Sequence, residues 1–319
     1  MSSITLAKSF SFTQAQDWNW VVTQKSSTQI TISDGTHTQV FGGAFTFSTT
    51  GAPSGTVTTS SYSENGELKY SVTGMNSDAA RLHTHAETFG DTDQTYAYVF
   101  QGNDTLTGST DADVIYAYAG NDVVTGGKGN DSIDGGTGTD KAVYAGTYSN
   151  YSLSIGTASV TVADQTAGRD GTDSLANVER LVFSDKTIAL DTGSIAGQAY
   201  RIYQAAFNRT PDASGLGYWI NAMDNGASLL SVAQGFVGSA EFASTYGSNP
   251  SVGKIVGGFY NNVLHRDGES SGVAYWTGVL TSGAQTAAQV LMGFSESTEN
   301  QVNLTGVMQS GIQFQPWAG

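Results

Sequence analysis

Five consecutive blocks of nine residues, FQGNDTLTG, STDADVIYA, YAGNDVVTG, GKGNDSIDG and GTGTDKAVY, fill Phe100 to Tyr144. Asp104, Asp113, Asp122, Asp131 and Asp140 fall nine apart. Two residues after each comes an apolar slot, Leu106, Ile115, Val124, Ile133 and then the weaker Ala142. A fixed short period means stacked units, none of which buries its apolar face alone. A glycine- and aspartate-rich linker would need no such register.

Each block reads as a tight turn followed by a very short strand. Glycines supply the positive φ that other residues reach only at a cost. Blocks four and five carry complete turns, Gly126 to Asp131 and Gly135 to Asp140, while the first three depart from that pattern. This stretch resembles the RTX family, the calcium-binding nonapeptide repeats of type I secreted bacterial proteins. The resemblance implies Ca2+ held by Asp104, Asp113, Asp122, Asp131 and Asp140, with Gly127, Gly129, Gly136, Gly138, Asn121 and Asn130 in the turns. Calcium takes about six to eight oxygen ligands, more than one turn offers. If successive turns alternate between two edges of a β-roll, turns eighteen apart share an edge, pairing Asp104 with Asp122, Asp113 with Asp131 and Asp122 with Asp140. Asp111 and Asp134 are further acids off this ladder. Against these seven acids stand only Lys128 and Lys141, so calcium binding and folding are expected to be one event.

The whole chain repeats that imbalance, with 28 acidic against 13 basic residues and a formal charge of −15. This argues against nucleic acid or an anionic membrane as partner. Cysteine is absent, which removes disulfides and thiolate chemistry. No run approaches the ~18 apolar residues of a membrane span. Met1 to Lys8 shows no basic segment leading into an apolar core, so a cleaved Sec signal is not expected. The resemblance implies instead an uncleaved C-terminal signal, the type I secretion machinery as partner and a Gram-negative source.

Residues 1–99 read as a β unit capping the roll. Ile30–Ser33, Val40–Ser48 and Thr56–Ser60 are rich in β-branched and aromatic residues, and Asp34-Gly35 and Asn65-Gly66 mark turns. Asn65-Gly66 predicts a hairpin; Ala79–Leu82 suggests a short helix, and Tyr96–Phe100 leads into the first repeat. His83 and His85, near Glu87 and Asp91, would put both rings on one face of a strand, a start for zinc, or are simply surface polar residues. Beyond the repeats, Tyr151–Ile155, Ala158–Ala163 and Asp170–Asp185 extend the roll unit to 191. The last segment looks like the one that closes RTX rolls, covering otherwise unpaired strand edges. Asp164, Asp170 and Asp173 are candidate ligands for one more calcium, or ordinary turn residues.

From 192 to 319 the chain turns alanine-rich with helical periodicity, Ala199, Ile202, Tyr203, Ala206 and Phe207 marking one face. A second repeat lies here. Tyr203–Trp219 aligns with Tyr260–Trp276 at an offset of 57, and Gly235–Glu241 with Gly293–Glu299 at 58. The region resembles the DUF4214 class of helical domains and, distantly, phycobilisome linker domains. Thr210-Pro211-Asp212 reads as a helix start capped by the threonine hydroxyl, with Ser228, Ser239 and Ser297 as further caps. Tyr218, Trp219, Tyr275 and Trp276 read as core anchors rather than a sugar platform, and Arg209 and Arg266 as partners of Asp212 and Glu269. Gln301–Gly319 reads as the secretion signal, as a packed terminal helix and tail, or as both at once.

No Gly-x-Ser-x-Gly elbow and no His-Glu-x-x-His helix occurs, and nothing selects Glu64, Glu67 or Glu87 as a glycosidase pair. The expected fold is multidomain β plus α: the N-terminal β unit, a parallel β-roll with calcium-binding turns, and an all-α C-terminal domain. The expected function is a secreted, calcium-dependent structural protein that assembles with itself into a surface layer, filament or matrix. The alternatives are a calcium-dependent adhesin for cell-surface glycans and, behind it, a secreted hydrolase.

Overall fold

The computed structural model describes residues 1–11, 21–89 and 92–317, with side chains except at 86–89 and 92–93. The chain divides into two compact units, Met1–Asp185 and Lys186–Gly319.

The first unit holds β1 (Ser3–Leu6), β2 (Val21–Lys25), β3 (Gln29–Ser33), β4 (His37–Phe47), β5 (Pro53–Glu64), β6 (Glu67–Thr73) and β7 (Ser77–Asp78). After α1 (Ala79–Phe89) and α2 (Thr92–Val99) come the repeat strands β8 (Thr105–Thr107), β9 (Val114–Tyr116), β10 (Val123–Thr125), β11 (Ser132–Asp134) and β12 (Lys141–Val143). They are followed by β13 (Tyr151–Ile155), β14 (Val160–Asp164), β15 (Thr172–Ala176) and β16 (Arg180–Val182). Strands β2 to β6 form an antiparallel meander in chain order. The Asn65-Gly66 turn joins β5 to β6 with both residues at positive φ (51° and 78°), the form a two-residue hairpin prefers.

β1 joins the meander to the repeats, antiparallel to β6 and parallel to β8. Successive repeat strands then alternate between two parallel ladders. β8, β10, β12 and β16 make one; β9, β11 and β15 make the other. The apolar slots stack in register, Ile4, Leu106, Val124, Ala142 and Leu181 on one ladder and Ile115, Ile133 and Leu175 on the other. Each is at most 2 % exposed, so the two columns form the thin core that the spacing implied.

The segment before the repeats departs from an all-β reading, because Thr92–Val99 is helical. The period of two in Tyr96-Ala-Tyr-Val-Phe100 also contains a period of four. Tyr96 and Phe100 stack one helical turn apart at 6.4 Å. Tyr98 turns the other way, under Arg81 (4.2 Å to the ring) and beside His85 of α1 (5.5 Å).

The second unit holds β17 (Thr187–Ala189), then α3 (Ile195–Phe207), α4 (Ala213–Asp224), α5 (Leu229–Val237), α6 (Ala240–Tyr246), α7 (Val252–Leu264), α8 (Ser270–Thr281), α9 (Ala287–Ser295) and α10 (Thr298–Met308), and ends on β18 (Ile312–Phe314). β18 pairs antiparallel with β17, which brings Lys186–Leu190 into this unit ahead of the composition change near 192. Within Gln301–Gly319, residues to Met308 therefore continue α10, and Ile312 and Phe314 are buried. The core joins Ile202, Leu216, Val232, Phe259, Val263 and Leu291, all 1 % exposed or less.

Ser228, Ser239 and Ser297 cap α5, α6 and α10 with their hydroxyls. The start of α4 lies two residues later than the Thr210-Pro211 pattern suggests. Asp212 is the cap, its carboxylate accepting from the Gly215 amide at 2.7 Å. A carboxylate is at least as good a cap as a threonine hydroxyl and also favours the positive end of the helix. In urea titrations of the full chain, Asp212→Ala is expected to lower stability by about 1 kcal/mol and Thr210→Ala to leave it nearly unchanged. The reverse order would return the cap to Thr210.

Candidate metal centre

The turns of the repeat stack so that an aspartate of one turn holds the backbone of another. Asp122 Oδ1 accepts the Asp104 amide at 2.6 Å, Asp140 Oδ1 the Asp122 amide at 2.8 Å, and Asp131 Oδ1 the Asp113 amide at 2.9 Å. These are the pairs eighteen residues apart. The ladder continues past the repeat, where Asp173 Oδ1 accepts the Asp131 amide at 3.0 Å and Glu179 Oε2 the Asp140 amide at 2.8 Å. At its other end, Asp104 and Asp113 accept the amides of Ser2 and Phe10.

Asn103 and Asn121 make a second ladder of opposite sense. Their Oδ1 atoms accept the amides of Asn121 and Thr139, eighteen residues onward, at 2.8 and 2.9 Å. Asn130 Oδ1 likewise accepts the Thr172 amide, 42 residues onward, at 2.9 Å. Asn121 and Asn130 therefore use their side-chain carbonyls to stack turns.

Gly127, Gly129, Gly136 and Gly138 all hold positive φ, from 85° to 143°. Their importance is also steric. A Cβ on Gly129 would sit 2.6 Å from the Asp111 carbonyl oxygen, and one on Gly138 would run into the Gly120 carbonyl. The third block departs from glycine at Tyr118, which takes φ 70°, a conformation costing an L-residue roughly 1–2 kcal/mol.

The five ladder aspartates are each at most 3 % exposed. Oδ2 of Asp104, Asp122, Asp131 and Asp140 is buried without a hydrogen-bond partner, whereas Asp113 Oδ2 accepts the Ser109 amide at 2.7 Å. Burial raises the pKa of all five; Asp122 is pushed up to about 6, and Asp131 and Asp140 to about 7. Asp173 is raised to about 6 for the same reason. Neighbouring ladder carboxylates add to the effect, Asp122 at Asp140 and Asp173 at Asp131.

Among the described residues no three His, Cys, Asp or Glu side chains gather into a metal cluster. Side chains alone would therefore not complete a site. The donor set is nonetheless all oxygen: buried Oδ2 atoms without hydrogen-bond partners, in turns whose glycines lie against the carbonyls of the turn eighteen residues before. That composition fits a hard cation of the calcium type, with Asp104, Asp122, Asp131 and Asp140 supplying charge. Such a cation would replace the proton on each carboxyl and offset the repulsion along the ladder.

The other candidates lie elsewhere. Asp111 is exposed, and its amide is held by Ser109 Oγ at 3.1 Å. Asp164 is committed to Arg169, accepting from Nε and a terminal nitrogen at 2.6 Å each. Asp170 accepts from the Tyr151 hydroxyl at 2.5 Å and the Ala145 amide at 3.0 Å. Of Asp164, Asp170 and Asp173, the last is the one on the ladder. His83 and His85 lie on α1, where a spacing of two points side chains to different faces, so the zinc reading loses its geometry. The side chains of Glu87 and Asp91 lie outside the described residues.

Residues 98–133 and 108–142 match the RTX calcium-binding nonapeptide repeat (4 copies), and residues 196–241 and 233–304 match DUF4214, a domain of unknown function. The chain carries RTX repeats ahead of a DUF4214 region. No curated protein matches it. Among solved structures it is similar to the extracellular lipase LipA from Serratia marcescens, at 19 % identity and a TM-score of 0.22. That likeness covers 25 % of this chain and 12 % of the lipase, and carries no argument about activity.

Sequence reasoning missed Glu179 and the amides of Ser2 and Phe10 as members of the RTX ladder. A signal for the first existed, since Asp173-Ser-Leu175 and Glu179-Arg-Leu181 keep the acid-then-apolar spacing outside the nine-residue register.

The raised carboxyls fix how the metal-free RTX unit responds to pH. Each binds its proton more tightly folded than unfolded, where an aspartate titrates near 3.9. Ionisation therefore penalises the metal-free fold fully above about pH 7, and the penalty is relieved as pH falls through the window from about 7 to about 4. Asp34, held down to about 2 chiefly by the His37 amide, acts oppositely but only below that window. In calcium-stripped protein the first unit is thus expected to be more folded at pH 5 than at pH 8, read from β-sheet circular dichroism across the pH range. A flat or inverted profile would contradict this.

Proposed function

We propose that this chain is a secreted, calcium-binding structural protein whose first unit orders when Ca2+ enters the stacked turns, and which then assembles with copies of itself. The observation that carries the reading is the row of buried Oδ2 atoms lacking hydrogen-bond partners on Asp104, Asp122, Asp131 and Asp140. Burying four such carboxylates without a counter-charge costs too much for a fold with so thin a core. A cation removes that cost, so binding energy becomes folding energy. Low calcium inside a cell would keep the segment unfolded for a one-step type I channel, and the calcium outside would fold it after export. RTX repeats support this route for an extracellular protein of a Gram-negative bacterium. Among the described residues, no helix is long and apolar enough to cross a membrane.

The role is structural rather than catalytic in this reading. Its assembly part rests on β2, which ends the sheet order beyond β3 among the described residues. All five of its residues are exposed, with Val21 at 61 % and Val22 at 56 %. An exposed strand at a sheet edge, here opened by two valines, is a template for a strand of another copy. Light scattering and electron microscopy of the full chain are expected to show growth into large particles with calcium and none with chelator. Val22→Lys is expected to suppress that growth while the calcium-loaded circular dichroism spectrum stays unchanged. A monodisperse calcium-loaded wild type would sink the assembly reading; growth indifferent to Val22→Lys would remove β2 from it.

A further inference from the structure

The two copies of the helical repeat carry the same residues in two different states. In both, a tyrosine packs edge-on to a phenylalanine, Tyr203 on Phe236 at 4.6 Å and Tyr260 on Phe294 at 4.9 Å. A tryptophan leans on the same ring in each, Trp219 at 5.4 Å and Trp276 at 5.5 Å. The aromatic frame is therefore common to both copies.

Their rims differ. In the first copy Arg209 is spent on Glu241, forming two hydrogen bonds of 2.6 and 2.9 Å, and lies over the Tyr203 ring at 4.9 Å and the Phe207 ring at 5.8 Å. A Cβ on Gly235 would run into the Trp219 ring, so the indole lies close against α5. In the second copy Leu264 replaces the phenylalanine, and the position of a Cβ on Gly293 is 3.7 Å from the Trp276 ring. Arg266 reaches Glu269 at 3.1 Å and Glu299 only at 3.6 Å, and its side chain is 49 % exposed against 35 % for Arg209. An open cavity of about 190 Å³ results, with Tyr260, Trp276 and Phe294 as walls and Arg266, Glu269 and Glu299 at the mouth.

We infer that this second-copy cavity is a carbohydrate site that takes one neutral pyranose ring of a larger glycan. Its volume is below the ~300–1,000 Å³ of clefts that engulf a whole drug-sized ligand, which suits a single ring whose chain continues into solvent. The exposed part of the indole offers a flat apolar surface for the C–H face of a sugar. Arg266 supplies donors, and the two glutamates supply acceptors, for adjacent hydroxyls. Two carboxylates around one guanidinium disfavour an acidic sugar, and the guanidinium disfavours a cation. The first copy, whose arginine is held by Glu241 and whose indole lies closer to its glycine, is the comparison within the same chain.

Calcium-loaded full-length protein is to be screened on an array of neutral and uronic-acid oligosaccharides, with methyl hexopyranosides as free competitors. The expected result is retention on at least one neutral hexose glycan. Arg266→Gln and Glu299→Gln, both at exposed positions, are each expected to weaken it about tenfold or more, and Trp276→Leu to abolish it. Circular dichroism checks that the helices persist. Competition by the free glycosides would show that one ring carries the recognition. No retained neutral glycan, retention unchanged in the two charge variants, or preference for uronic acids would overturn the proposal.

Discussion

The bond between an aspartate carboxylate and the backbone amide of a stacked turn is the interaction on which the first unit depends. It runs from Phe10 through Asp113 and Asp131 to Asp173 on one edge, and from Ser2 through Asp104, Asp122 and Asp140 to Glu179 on the other. One carboxylate oxygen closes each rung and fixes the spacing between turns. Because the rung is buried, the second oxygen of four of these aspartates is carried inside with it. The same geometry that orders the backbone thus creates a demand for positive charge. Within the nine-residue blocks the two cationic side chains, Lys128 and Lys141, are exposed. The three-residue strands contribute one fully buried apolar side chain each, too little to carry a row of unmatched carboxylates alone.

Much of this was legible in the sequence, for a physical reason. A residue that must repeat in space at a fixed interval repeats in the chain at a fixed interval, so Asp104 to Asp140 and Leu106 to Ala142 announce both the turns and the core. Legibility ends where space and sequence decouple. Asp173 and Glu179 occupy the next ladder positions but follow the β13–β14 hairpin, 42 and 39 residues after their hydrogen-bond partners Asp131 and Asp140 rather than eighteen. Ser2 and Phe10 contribute amides, which no side-chain pattern marks. Tyr96–Phe100 was ambiguous because its alternation fits a strand while its four-residue step fits a helix, and stacking against Phe100 and α1 selects the helix.

The helical unit shows a different limit. The sequence displays its two copies and their shared aromatic and charged residues, and from that alone both look like core. Whether such a set closes on itself depends on distances of about an ångström. Arg209 grips Glu241 with both ends of its fork while Arg266 stands off Glu299, and a phenylalanine gives way to Leu264. Duplication followed by loosening of one copy is a simple way to keep a fold and open a site.

Hydrogen exchange resolved along the chain tests the central claim, that cation binding and ordering of the stacked turns are one event. With calcium, amides from Asp104 to Val182 are expected to be strongly protected. With chelator at pH 8 that protection is expected to collapse, while the amides of α3 to α10 keep theirs. Equal protection of the ladder amides with and without calcium would show that the turns stand without the cation, and would contradict the account.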